Sequence, residues 1–216
     1  FDTRTRTGSQ ALYVQDQWTF KRLTLQGAVR YDYAYSRFLD QQVGPVRFIP
    51  NPIVLPAQDG VEGFHDVNPR VGGTYDVFGN GTTSIKVNWG RYLEPASNAG
   101  RYTATNPLAR IVTSTNRSWT DANRNLVPDC DLLNPAAHDR RPSGGDFCGA
   151  WSDQNFGSSV PGTNWDPAQL RGWGVRPIDG QFGVSIQREL IGRTSIEVGY
   201  NRRWWGNFTV TDNLLV

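Results

Sequence analysis

The chain has 216 residues and a net charge of +2, with 22 basic and 20 acidic residues intermixed. No basic run marks a nucleic-acid footprint, so that class of partner is not expected. A mean hydropathy of -0.52 and the lack of any apolar stretch near the roughly 18 residues of a spanning helix exclude a helical membrane protein. They leave a membrane barrel open, because only alternate strand residues face lipid there.

The first two candidate strands, about 10–20 and 23–35, are joined by the two-residue turn Lys21-Arg22. From Leu23 to Tyr35 every odd position is apolar, aromatic or Gly, and the even positions are mostly polar. This is the period of a strand with one apolar and one wet face. About thirteen residues exceeds the roughly 5–6 of an ordinary strand and suits a tilted strand crossing a bilayer, which needs roughly 9–11. Strands near 67–77 and 83–92 follow, joined by Phe78-Gly79-Asn80-Gly81-Thr82 with its Asn-Gly hairpin signal. The last pair, 180–190 and 194–205, brackets Ile191-Gly192-Arg193. Between hairpins lie the long connections 36–66 and 93–179. Alternation of short and long ends is the rhythm of outer-membrane barrels, with the long loops outside.

Short turns fix register. Phe20 falls opposite Leu23, Tyr75 opposite Ile85, Val71 opposite Trp89, Ile186 opposite Val198 and Val184 opposite Tyr200. The apolar faces coincide in all three hairpins. The other faces carry Arg30, Asp32, Arg70, Lys86, Glu197 and Arg203, as a polar lumen requires. Trp18 near the short turns, and Tyr31, Tyr33, Tyr35, Trp89, Tyr200 and Trp204 near the long loops, are expected at the two membrane rims. Arg91 and Arg202 take the lipid phase only at the outer rim, and Arg188 near a short turn. Asp16 falls on the apolar face in mid-strand, opposite Gly27, where a bulge or a shield is expected. The expected fold is all-β: an antiparallel up-and-down transmembrane β-barrel segment of about six strands with long extracellular loops. A soluble sandwich, its apolar faces packed on each other, is the alternative.

Cys130 and Cys148 are the only cysteines. They are expected to form one local disulfide in an oxidising compartment. Beside them, oxygen-bearing residues recur at alternate positions from Asp121 to Asp131. Asp121, Asn123, Asn125, the Val127 carbonyl, Asp129 and Asp131 form a candidate calcium set. Leu126 and Leu132 stand where an EF-hand has Gly and Glu, so a standard EF-hand is excluded. The other reading is a loop of Asx turns. The aromatic residues of this excursion, Trp119, Phe147, Trp151, Phe156, Trp165 and Trp173, are expected to pack a small core around the disulfide; the other reading is a surface that stacks on sugar rings or grips a hydrophobic ligand. His65 and His138 fall in predicted loops with no partner spacing. No nucleophile elbow or phosphate-binding loop occurs, so no catalytic residue is assigned and no enzyme is expected. Asn80-Gly81-Thr82, Asn116-Arg117-Ser118 and Asn207-Phe208-Thr209 match glycosylation acceptors only by chance in a bacterial outer-membrane reading.

Leu12-Tyr13-Val14-Gln15-Asp16-Gln17-Trp18 followed by Leu23 to Asp32 resembles the paired-strand signature of TonB-dependent outer-membrane receptors. Val67-Asn68-Pro69-Arg70-Val71-Gly72, Phe78 to Lys86 and Gly90-Arg91-Tyr92-Leu93-Glu94-Pro95 resemble further segments of that family. The likeness is closest to its Oar-like branch with a carboxypeptidase-regulatory-like N-terminal domain, and covers essentially all the strands. It implies a 22-stranded barrel, an N-terminal plug and energy delivered through TonB. Residues 1–216 would be a partial barrel domain without the plug; the absence of Met and of a signal peptide reads as an internal or processed piece. The implied partners are outer-membrane lipid, the rest of the barrel and plug, TonB, and an unidentified scarce nutrient. The implied location is the outer membrane of a Gram-negative type cell. The alternative is a soluble secreted β-rich binding module with a calcium-dependent, disulfide-tied loop.

Overall fold

A computed structural model describes residues 3–213. The chain separates into two compact units. Among the described residues the larger comprises 6–37, 59–102 and 165–213, and the smaller 3–5, 38–58 and 103–164, most of the latter from the two long connections.

Six long strands dominate the larger unit: β1 (Thr5–Phe20), β2 (Leu23–Phe38), β3 (Gly63–Asp76), β4 (Thr83–Leu93), β5 (Ile178–Glu189) and β6 (Ser195–Gly206). They pair in chain order, each with the next, as an up-and-down antiparallel sheet. Every expected strand is present, and β1 begins five residues before its expected start. The registers also match the expected ones: Tyr75 opposes Ile85, Val71 opposes Trp89, Ile186 opposes Val198 and Val184 opposes Tyr200. In the first hairpin the hydroxyls of Thr19 and Thr24 lie 3.2 Å apart, as they must if Phe20 faces Leu23.

Local chemistry sets the turns. Lys21 takes the left-handed conformation with φ 52°, which a two-residue hairpin turn demands. In the second turn the Asp76 carboxylate accepts the N–H groups of Gly79 and Gly81, both at 2.9 Å. The third, Ile191–Arg193, reverses at Gly192, whose φ of 75° is left-handed and not helical.

The apolar side of the sheet is uncovered. Leu25, Val29, Val71, Val87, Ile186 and Val198 are 42–64% exposed, in line across the strands. No second sheet packs there among the described residues, as a sandwich would require. No helix is long and apolar enough to cross a membrane, which says nothing of a barrel. Asp16 lies within a strand assigned continuously from Thr5 to Phe20; its carboxylate accepts the neighbouring Gln17 N–H at 2.7 Å.

The pairing is not uniform toward the long-connection end. β3 pairs with β2 as far as Phe64 but with β4 only as far as Arg70 opposite Gly90. The next residue along is Pro69, which has no N–H to donate. Past that point a short strand, Arg171–Trp173, pairs in parallel with Gly63–His65. Ala34, Val61, Phe64 and Tyr102 form a small buried cluster there, with Ala96, Leu170 and Val175 against it.

The smaller unit is ordered by its own contacts. Residues 41–43 and 53–55 form a hairpin, and a three-stranded sheet joins 119–120, 147–148 and 138–139. Its core is Val43, Ile49, Leu108 and Ile111, packed by Ile53, Leu55 and Phe156. An ordered core therefore exists, but aliphatic residues from both connections make it and neither cysteine belongs to it, so it is not the expected core around the disulfide. The aromatics are more peripheral, and Trp119 is 39% exposed.

Candidate functional site: a polar trough and its outer rim

The polar positions of all six strands line one trough. Gln15 and Gln17 of β1, Gln26 of β2, Arg70 of β3, Asn88 of β4, Gln181 of β5 and Asn201 and Arg203 of β6 share the same concavity. Residues from both ends of the strand order meet around it, so the sheet is curved with its polar side inward.

The side chains of this polar face engage each other. Arg30 donates Nε to Asp32 at 2.9 Å, and Asn68 donates Nδ2 to the same carboxylate at 2.8 Å. Lys86 donates to Gln187 at 2.7 Å and lies 4.0 Å from Glu197, which accepts the Ser185 hydroxyl at 2.7 Å. Arg203 grips Asp179 through Nε and Nη2. Arg70 stacks on the Tyr92 ring, 4.4 Å from its centroid. All six polar residues assigned to the inner face thus engage partners of that face. These are charges of both signs, half exposed and held at fixed spacing, suited to a wetted passage or a polar binding wall.

A group that sequence reasoning missed lies where the β3–β4 ladder opens. Asp66 is fully buried and accepts Arg176 Nε at 2.7 Å, with Arg91 Nη2 3.7 Å from its other oxygen. Arg91 was expected on the lipid side of the rim; it turns to this carboxylate instead, because the departing strands leave room and a buried anion needs a cation. Arg101, also buried, donates to the Val175 and Asn207 carbonyls, and Asn207 donates to those of Gly174 and Arg176. Together these residues latch the segment 174–176 to the strands. A usable signal was Asp66 in polar phase on an extension of β3, but its partner is 110 residues away.

The rim aromatics sit on the apolar side at both strand ends. Tyr35 lies across Gly8, where a β-carbon would be 2.5–2.7 Å from the ring. Trp204 lies across Gly180, opposite it in register, and a β-carbon there would collide with the indole. Glycine is needed at both places so that the ring can cover backbone. Trp18, Trp89 and Tyr200 are exposed in the same phase. His65, expected in a solvated loop, belongs to β3 and is half buried; its ring stacks on Trp173 and lies tilted against Tyr33, 5.0 Å from each.

In the smaller unit, Cys130 and Cys148 form the expected disulfide. The sulfurs and His138 lie close together, but disulfide sulfur offers no thiolate to a metal. The stretch beside it is a set of Asx turns. Asp121 accepts the N–H groups of Asn125 and Leu126, Asn123 that of Asn125, and Asn125 that of Val127. Both Asn123 and Asn125 donate Nδ2 to Asp129, at 2.6 and 2.8 Å. Asp131 turns away to accept the Leu133 N–H. The candidate side-chain oxygens therefore accept hydrogen bonds within the loop itself, and calcium rests on spacing alone. Asp146 anchors the turn set. Its carboxylate accepts Asp129 N–H, Trp119 Nε1 and Ala122 N–H, each at 2.9 Å, which hold it below the usual carboxylate range. Arg117 ties the same region by donating to the carbonyls of Gly149, Asp131 and Ala136.

A family model described as "Outer membrane beta barrel domain" matches residues 1–202. Comparison with curated proteins and with solved structures gave no match. An up-and-down sheet with an uncovered apolar side, a polar inner trough and aromatic rims agrees with that family match. The chain belongs to the outer membrane beta barrel domain family, and its place is the outer membrane.

Proposed function

We propose that this chain forms wall and outer loops of a TonB-dependent outer-membrane transporter that binds and imports a scarce nutrient. The observation that carries the proposal is the polar face of the sheet, where each strand from β2 to β6 contributes a charged side chain held by a partner of that face. The sequence likeness to TonB-dependent receptors adds the energy source. In this reading Arg30, Asp32, Arg70, Lys86, Glu197 and Arg203 line the channel and meet the plug. β1 and β6 end the strand order. Unpaired strand edges are not tolerated in hydrocarbon, so they pair with further strands of the same barrel.

The test is uptake in cells carrying the full-length gene or its deletion, with candidate nutrients at limiting concentration. The proposal predicts saturable uptake that is lost when TonB is deleted or the proton gradient is collapsed. Uptake that persists without TonB, or simple diffusive leakage through the purified protein in liposomes, contradicts it.

A further inference from the structure

The lipid-facing side of β2 and β3 changes character toward the long connections. Leu25 and Val29 give way to Tyr31, Tyr33 and Tyr35 on the same face. His65 stands opposite Tyr33, and Trp173 of the inserted strand stands opposite His65. The rings overlap in a row. His65 and Trp173 are stacked with 28° between their planes, and Tyr31 and Trp173 are 5.9 Å apart. The Tyr31 hydroxyl lies 2.7 Å from His65 Nδ1, which fixes the imidazole. Trp173 nevertheless stays 66% exposed. An indole held by a built stack, with most of its surface left uncovered, contributes little to the fold.

Beside this row Arg171 donates to Glu62 at 3.1 Å, and both side chains are about half exposed or more. Glu62, Ala168 and Arg171 line one shallow groove with His65 and Trp173. Ring faces next to a carboxylate and a guanidinium suit a pyranose. Its C–H face stacks on the indole, and its hydroxyls donate to Glu62 and accept from Arg171. Position selects the source of the sugar. The row continues the apolar side whose neighbours are Leu25, Val29 and Val71, and it lies at the long-loop end, where strands leave the hydrocarbon for the headgroup zone. A saccharide destined for the trough would meet the opposite face of the sheet.

We propose that Tyr31, Tyr33, His65 and Trp173, with Arg171 and Glu62, bind the sugar headgroup of an outer-leaflet glycolipid, whose acyl chains run down the Leu25–Val29–Val71 surface. This stands on the membrane location and not on nutrient import.

The experiment uses the whole protein in detergent, equilibrated with lipopolysaccharide of truncated sugar core or with phosphatidylethanolamine, and counts retained lipid by native mass spectrometry. Trp173→Ala and Arg171→Gln change exposed side chains, and Trp119→Ala changes an indole outside the platform. Heat-modifiable gel migration checks that each variant is folded, and Arg171→Gln carries the test if Trp173→Ala is not; Trp173→Phe keeps an aromatic ring at the platform. The expected result is preferential retention of the glycolipid, reduced about five- to tenfold by Trp173→Ala and by Arg171→Gln. Trp119→Ala and Trp173→Phe retain it. Equal retention by folded Trp173→Ala overturns the proposal, as does equal binding of phosphatidylethanolamine. Displacement of the glycolipid by free core oligosaccharide at equal concentration also overturns it, since the site would then read sugar from solution.

Discussion

A single buried carboxylate organises the outer end of the larger unit. Asp66 and Arg176 are both almost wholly out of solvent, and their pair fastens a segment that the sequence places far from β3. Removing one partner of such a pair leaves an uncompensated charge and costs about 3–5 kcal/mol. Arg176→Ala is therefore expected to lower the unfolding midpoint and to open residues 165–177 to proteolysis before any strand is cut. Near the long-connection end of β5, Gly180→Leu forces a side chain into the indole of Trp204 and is expected to cost about 1–3 kcal/mol. The double variant with Trp204→Ala recovers most of that loss, which denaturant midpoints read out. In the smaller unit the depressed carboxyl of Asp146 stabilises the fold only while it is ionised. That contribution is complete above the ordinary carboxyl value of 3.8 and is lost as pH falls through the lower folded value. Amide exchange at Ala122 and Asp129 should rise in that acid window and in Asp146→Ala at neutral pH, by about tenfold in the variant. The surface pair Asp139–Arg141 adds a second acid-labile contact, with Asp139 held at about 2 by the Arg141 side chain.

At the level of elements, strand alternation and turn chemistry carried most of the information. Thirteen alternating residues and an Asn-Gly turn determine face, register and neighbour at once, because one residue of slip would turn every side chain over. The extension of β1 back to Thr5 was hidden because Thr5-Arg6-Thr7-Gly8-Ser9-Gln10 has no apolar face. The parallel insertion of Arg171–Trp173 beside β3 was hidden for another reason: three residues carry no period, and their partner lies over a hundred residues away. The disulfide was legible from cysteine count, while the Asx turns and calcium shared one spacing that hydrogen bonds alone could separate. The bridge closes a segment with a separation of 18 residues, worth about 3 kcal/mol in chain entropy. Reduction is expected to make residues 121–147 sensitive to protease while β1 to β6 stay protected, which limited digestion followed by mass mapping would show.

For the whole molecule, one question governs the rest: what covers the apolar side of the sheet. Its side chains are uncovered in the structure, and the polar side closes on itself through ion pairs. The family match places the chain in the outer membrane, where lipid would cover that side. The described residues contain no free cysteine, so introduced thiols can be labelled singly once the disulfide is intact. The most direct measurement is a nitroxide scan of β5 and β6 in bilayers, at Val184, Ser185, Ile186 and Gln187 and at Glu197, Val198, Gly199 and Tyr200, each replaced by Cys. The account predicts strict alternation: oxygen dissolved in lipid relaxes the labels at 184, 186, 198 and 200, and a water-soluble nickel chelate relaxes those at 185, 187, 197 and 199. Equal exposure of both sets to the chelate, or burial of the first set away from both reagents, would contradict it.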